Sequence, residues 1–422
     1  MYKKTKLDNG LRIVACNMPR MQSVALGIWI KTGGRFEAAE KKGISHYLEH
    51  LLFKGSKKYS CRKLKESIEG VGGSLNGFTS EEATCYLVKL PFRCLDLGLD
   101  VLADMVAHPL LREEDAEKER TVILEEIKMY KDMPQGYVYD LLDELLWPGQ
   151  MLGLSIAGSE ESVKSIRREE IAAYRQTSYT AANIVVSAAG LIKESAFLKK
   201  VERKFSALPQ GGENKFLPAR AGQDAPRLKV LHKDTEQTHL ALGLRSYQRE
   251  HPLRYAQGLL HVILGGNMSS RLFEEVREKK GLAYEICTAL KRFMDTGAFI
   301  VHAGIDNRKV EEALAVILGE LRRVKGEPVT ADELKRAKEF YLGQLGLALE
   351  DTMDHMLWIG EPALLLNKVY TLREVIRAIS RVKRSELSQV AAETFVDNNL
   401  NLALIGPLKD KEAALRSQLS LN

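Results

Sequence analysis

Two stretches of this 422-residue chain read as one domain written twice. Val24-Ala25-Leu26-Gly27-Ile28 returns as Leu240-Ala241-Leu242-Gly243-Leu244, residues 46–55 align with 257–266, and Asp115-Ala116-Glu117-Lys118 matches Asp332-Glu333-Leu334-Lys335, each opening a helix. Similarity at this spacing means duplication of a whole domain, not a solenoid of short repeats. It also fits the length, which is too great for one ordinary core. Each half reads as strand, helix, strands, helices, the pattern of an α+β fold in which a mixed sheet packs against helices. Strands are expected at 24–31 and 84–90, and helices at 61–69, 95–106 and 113–130. The Gly-, Pro- and charge-rich stretch 209–226 reads as a linker between domains at 1–208 and 227–422.

The two copies differ where chemistry is possible. His46, Glu49 and His50 form H-x-x-E-H in the first copy. On a helix, positions i, i+3 and i+4 share one face. Two neutral imidazoles one turn apart can grip a metal ion, with a carboxylate placed to take a proton from water activated there. This pattern is the inverzincin signature. With nine histidines in the chain, chance would produce it in roughly one such chain in a hundred. Ile44, Leu48, Leu51 and Leu52 form an apolar stripe, His46, Glu49, His50 and Phe53 form another face, and Gly55 is expected to end the helix. A buried carboxylate and two imidazoles need partners, and a metal ion supplies them. The second copy has Gln257 for His46 and Leu260 for Glu49. It keeps the helix without the ligands, so His261 reads as a satisfied core histidine.

Zinc needs a third protein ligand. The helix expected at 113–130 carries Glu119, Val122, Glu126 and Met129 along one stripe. Its apolar neighbours favour Glu126. The rival Glu125 has Lys128 at i+3 and Lys118 at i−7, which suits a solvated face.

From the Leu7-Asp8-Asn9-Gly10 segment to Asn401-Leu402-Ala403-Leu404, the chain resembles the pitrilysin or insulinase family, in the branch of mitochondrial processing peptidase and its bacterial relatives. That resemblance implies a metallopeptidase clamshell half of two such domains. It implies a glutamate ligand 76 residues after the second histidine; 126 − 50 = 76 points to Glu126. A supporting glutamate maps to Glu119. Asn76, Phe78 and Thr79, in Gly72-Gly73-Ser74-Leu75-Asn76-Gly77-Phe78-Thr79, match an edge strand on which substrate lies, with Gly77 in place of the usual alanine. Read without the family, that stretch is a hairpin or bulge. Arg277 and Tyr284 map to a pair that contacts substrate backbone near the scissile bond, and Gly265-Gly266-Asn267 resembles the loop before it. On their own, Arg277 reads as a surface charge and Tyr284 as a half-buried strand aromatic.

The 62 basic and 56 acidic residues leave a net charge of +6, and no basic run with interleaved aromatics suggests nucleic acid. Lys57-Lys58 and Arg167-Arg168 read as solvated faces. Five scattered cysteines without C-x-x-C argue for free thiols in a cytosolic compartment. Cys85 and Cys287 are expected in the core. The polar N-terminus carries no apolar signal core, and no run of 18 apolar residues suggests a membrane span. A cytoplasmic protein is expected.

The combined expectation is a zinc endopeptidase acting on extended or unfolded peptides. His46, His50 and Glu126 would hold one Zn²⁺ per chain, Glu49 would act as general base, and Glu119 would orient the site. Because one chain carries both H-x-x-E-H and the Arg277/Tyr284 pair, a homodimer with shared sites is expected, with a heterodimer of related subunits as the other arrangement. The competing class is a non-catalytic structural or regulatory subunit of a processing-peptidase-like complex.

Overall fold

Ser23–Ile30 is almost wholly apolar, and a strand of that kind has to be covered on both faces. The computed structural model, which describes residues 2–422, places it inside a six-stranded sheet. The strands are β1 (Lys3–Lys6), β2 (Arg12–Asn17), β3 (Ser23–Ile30), β4 (Ser74–Thr79), β5 (Thr84–Pro91) and β6 (Ile184–Gly190), in the order β1-β2-β6-β3-β5-β4. A second sheet contains β7 (Arg227–His232), β8 (Gln237–Ser246), β9 (Ala283–Arg292), β10 (Gly297–Asp306) and β11 (Leu400–Gly406), in the order β7-β11-β8-β10-β9. Without β1, the two orders coincide strand for strand. Each has one parallel pair at the same place, β2 with β6 and β7 with β11. The duplication in the sequence is thus present in the topology, and β4 and β9 occupy equivalent edges.

One face of the first sheet packs against helices Ile44–Leu52, Leu95–Ala107, Arg168–Ser178 and Glu194–Phe205 in a continuous apolar core. The other face is covered by helix Thr352–Leu365, which lies across β2, β3 and β6. Trp29 sets that contact: its indole N–H donates to Ser187 Oγ at 2.8 Å. Gly27 and Gly360 give the helix room to approach, since a Cβ on Gly360 would overlap the indole nitrogen. Helix Pro134–Leu146 covers β7, β8 and β11 in the same manner. Each covering helix comes from the opposite half of the sequence.

The chain accordingly forms two compact units that are not contiguous in sequence. One comprises the residues up to Lys128, Ser155–Leu217 and Leu345–Leu372; the other comprises Met129–Leu154, Pro218–Gln344 and Arg373–Asn422. Residues 209–226 contain no helix or strand, as their composition suggests, yet their first part is tied down. Asn214 donates to the Lys31 carbonyl at 2.9 Å, and Asn183 donates to the Gly212 carbonyl at 2.8 Å.

Two local expectations need correction. Helix Ile44–Leu52 ends on Phe53 in a right-handed conformation, while Gly55 lies beyond it at φ 133° in a bridge to Ser60. Cys85 is fully buried, but Cys287 is only half-buried, on the edge strand β9. All five cysteines are free. Among the described residues no helix is long and apolar enough to cross a membrane.

Gly360→Ala should destabilise the chain by about 1–3 kcal/mol through overpacking against Trp29. Gly343→Ala, in the interior of helix Ala331–Ala348 with open space around it, should be neutral or stabilise by about 0.5–1 kcal/mol. Urea unfolding of both variants tests the contrast; equal effects would rule out close packing at Gly360.

Candidate metal centre

Helix Ile44–Leu52 starts on a buried carboxylate. Glu37 accepts from the backbone N–H groups of Gly43 at 2.9 Å and Ser45 at 2.8 Å. A negative charge there satisfies free N–H groups and complements the helix dipole. Burial pushes the Glu37 carboxyl upward, opposed by Lys42 and these hydrogen bonds. Ser45 and Thr32 both hydrogen-bond the Tyr174 hydroxyl, at 2.8 and 2.7 Å. The Tyr47 hydroxyl donates to the Ala116 carbonyl at 2.5 Å, which joins this helix to helix Glu113–Lys131. The start of the histidine helix and its distance from the acidic helix are therefore both set by buried polar contacts.

Those contacts bring His46, His50 and Glu126 together. One ligand atom from each lies within 4.8 Å of the others. Nε2 of His50 is 3.5 Å and Nε2 of His46 is 3.9 Å from the same Glu126 oxygen. On its other side, His50 Nδ1 is 3.0 Å from Glu119. A carboxylate there accepts a hydrogen bond from Nδ1–H, which fixes the ring with Nε2 turned toward Glu126. Glu119 is buried and is held in turn by Lys54 Nζ at 2.5 Å. Burial, then the neighbouring His50, pushes His46 down to about 4. Its imidazole is thus neutral near pH 7, the form that donates to metals, and its Nδ1 is buried without a hydrogen bond. Two imidazole nitrogens and one carboxylate oxygen are a donor set that suits zinc and leaves a fourth position for water or substrate.

Glu49 is outside this trio. Its Oε2 accepts from the Thr79 hydroxyl at 2.6 Å. Burial raises its carboxyl above the ordinary value; Thr79 and His50 oppose that shift and Glu126 adds to it. An acid moved toward neutrality is suited to proton transfer.

Thr79 ends β4, which pairs only with β5 and leaves its other edge open. The sheet thus ends in an unpaired strand edge beside Glu49. Asn76 is exposed on this strand, its Oδ1 accepting from the Gly77 N–H at 2.8 Å. Phe78 lies edge-on to Trp29 with ring centres 5.7 Å apart. The family's alanine at position 77 would press on the Phe53 ring.

Glu125 pairs with Lys128 at 2.8 Å on the exposed face, as its spacing suggests. The reason given for Glu126 needs correction, however. Val122 is 43% and Met129 is 59% exposed, so the stripe flanking Glu126 does not face the core. The buried residues of this helix are Ala116, Glu119, Ile123 and Ile127, and the Glu126 side chain is 40% exposed. Its placement follows from Glu119 being buried seven residues earlier, two turns along the same line. Glu37, Tyr47 and Lys54 were not anticipated. Of these, only Lys54 had a readable signal, at i+4 from His50.

Arg277 and Tyr284 lie together in the other unit. The Arg277 guanidinium is 4.7 Å from the Phe273 ring centre and 5.4 Å from that of Tyr284. Arg277 sits in a π-wound segment, Phe273–Lys279. The register of β9 on β10 passes from Glu285↔Gly304 to Ala283↔Ile305 and skips Tyr284. Tyr284 is the extra residue of a bulge, a device that re-aims a side chain, and it is 75% exposed rather than half-buried.

His261, the counterpart of His50, bonds the Thr288 hydroxyl through Nδ1 at 2.7 Å, as expected for a satisfied histidine. If the offset between Asp115 and Asp332 is continued (332 − 115 = 217), Glu119 falls on Arg336 and Glu126 on Gly343. The second copy therefore has none of the carboxylates.

Residues 12–160 match the insulinase (peptidase family M16) model, and residues 165–341 match the peptidase M16 inactive domain. YmxG of Bacillus subtilis, named an uncharacterized zinc protease, is 38% identical over 411 residues, covering 96% of this chain and 98% of that relative. SCO5738 of Streptomyces coelicolor, which carries the same description, is 36% identical over 419 residues, covering 98% and 91%. Among solved structures, a protease from Helicobacter pylori superposes with a TM-score of 0.91 at 25% identity, covering 96% of this chain and all of that one. A duplicated mixed sheet, H-x-x-E-H on the first copy alone and similarity along nearly the whole length together make this chain a member of the insulinase family, peptidase family M16.

Proposed function

We propose that this protein is a zinc-dependent endopeptidase for extended or unfolded peptides. The observation that carries the reading is the convergence of His46, His50 and Glu126 beside a separately anchored Glu49. His46, His50 and Glu126 would hold one zinc ion. When bound, zinc supplies Lewis-acid polarisation of the scissile carbonyl and makes water more acidic. Glu119 holds His50 with Nε2 turned toward Glu126, and Lys54 holds Glu119. Glu49 accepts a proton from the attacking water and delivers it to the leaving amine. Thr79 keeps its carboxylate aimed from the end of β4. The open edge of β4 offers backbone groups to a peptide that adds as a strand, with Asn76 and Phe78 beside it. Folded substrates lack the free backbone groups that such pairing requires. Arg277 and Tyr284 would grip the substrate backbone.

The ligand assignment is tested by metal analysis. Glu126→Gln should weaken zinc binding by more than the about 10- to 100-fold typical of an outer-sphere partner, and Glu125→Gln should leave it unchanged. Equal retention in both would exclude Glu126 as a ligand.

Glu49→Gln should keep its zinc while peptide turnover falls by about 10²–10⁴-fold, the range of general acid–base contributions. Loss of zinc in step with activity would make Glu49 a ligand and overturn the division of roles.

We further propose a homodimer with shared sites, in which Arg277 and Tyr284 of one subunit serve the metal centre of the other. Enclosing a site in this way excludes water and strengthens its electrostatics. Glu49→Gln and Tyr284→Phe homodimers should each be weak, and the co-expressed mixed dimer should regain one complete site. A mixed dimer no better than the mean of its parents would show that the pair does not act across subunits.

A further inference from the structure

Among the described residues, one other group of metal-ligating side chains converges as closely as His46, His50 and Glu126. Glu285, Cys287 and His302 each place one ligand atom within 4.8 Å of the others. The register explains the convergence. Cys287 on β9 lies directly opposite His302 on β10, and Glu285 lies opposite Gly304. Residues two apart on a strand share a face, so Cys287, Glu285 and His302 all point to the same side of the second sheet. His239 on β8, also opposite Gly304, joins them on that face.

This corner of the sheet lacks the hydrogen bonds that buried polar groups normally have. His302 is 5% exposed, and its Nε2 is buried without a partner. His239 Nδ1 is also buried and unpartnered. Beside them the face is apolar at Ala241, Ala289 and Ile300 under helix Pro134–Leu146, and further along it Lys291 pairs with Asp143 of that helix. The Tyr139 ring stacks on His302 at 5.2 Å. Cys287 is half-buried and Glu285 exposed, which leaves an entry path for an ion.

We propose that Glu285, Cys287 and His302 form a second metal site, selective for a zinc-like divalent cation. A thiolate, an imidazole and a carboxylate are all zinc ligands, and the sulfur disfavours magnesium and calcium. Binding releases the thiol proton to solvent, with no change of oxidation state. The bound ion bridges β9 and β10 beside the bulge that carries Tyr284.

Cobalt(II) separates this site from the first one, because only this site contains sulfur. The chelator-treated full-length protein is titrated with Co²⁺ alone, and the thiolate-to-cobalt charge-transfer absorption is recorded. Wild type should develop the band and saturate by about two equivalents of Co²⁺ per chain, one for this site and one for the sulfur-free site that gives no such band. Cys287→Ser should abolish it. His302→Gln and the exposed Glu285→Gln should each raise the midpoint at least about tenfold, since outer-sphere changes alone reach that size. No band in wild type, a band that survives in Cys287→Ser, or an unchanged midpoint in a folded Glu285→Gln protein would overturn the proposal.

Discussion

Three ionisable side chains on a nine-residue helix, a buried carboxylate and two half-buried imidazoles, have to be satisfied, and the first unit is built around that requirement. An unpartnered imidazole or carboxylate in such a place costs several kcal/mol. The structure answers with a chain of contacts: Lys54 to Glu119, Glu119 to His50, and His50 to the edge of Glu126. Each link fixes the next. Glu119 orients the ring of His50, and the rigid helix that carries Glu119 places Glu126 two turns further along. Tyr47, between the same two helices, sets their separation from within the core. The site is therefore held by packing and paired polar groups on regular elements, which position side chains more accurately than loops do.

The second copy shows what the fold requires once metal chemistry is absent. The equivalent helix, Arg254–Gly265, keeps its apolar face and its place on the sheet. Its residual polar groups turn to neutral neighbours: His261 bonds Thr288 and the Gln257 amide N–H donates to the Ser246 hydroxyl, while Gln257 Oε1 is buried without a partner. The carboxylates have gone although the counterpart of His50, His261, remains. Fold and chemistry are thus separable in this chain, and the first copy's ionisable cluster has no architectural necessity. Functional sites are where proteins depart from the arrangement that stability alone would choose.

Much of this was legible in the sequence, for identifiable reasons. The apolar run of β3 and its repeat in β8 announced the two sheets, and helical spacing put His46, Glu49 and His50 on one face. Glu119 and Glu126 were legible through family spacing. The apolar neighbours of Glu126 pointed to the right residue on a mistaken premise, since Val122 and Met129 are exposed. What escaped was long-range. Nothing local says that helix Thr352–Leu365 covers the first sheet, because the complementarity of Gly360 to Trp29 spans more than 300 residues of sequence. The Glu37 cap hides for a related reason: an acid seven residues before a helix start looks like any surface charge until the backbone folds back onto it. The bulge at Tyr284 depends on pairing register, which is set between strands and not within one.

The two edge strands show how the same element took different tasks. In the first copy, β4 ends in Thr79, whose hydroxyl holds Glu49. A peptide paired to β4 would rest on the same strand that aims Glu49, so its register and the position of that carboxylate would be fixed by one piece of backbone. A shift of one residue along such a strand reverses which side chains face the site, and the open edge thereby imposes a strict frame on whatever binds it. In the second copy, the equivalent strand β9 keeps its edge position, but a bulge interrupts its pairing with β10 and turns Tyr284 outward. A ladder broken at one residue exposes a side chain that regular pairing would have kept against the sheet. The duplicated domain thus retains one topology while using its edge in two ways, by an ordered ladder in the first copy and by a defect in the ladder in the second.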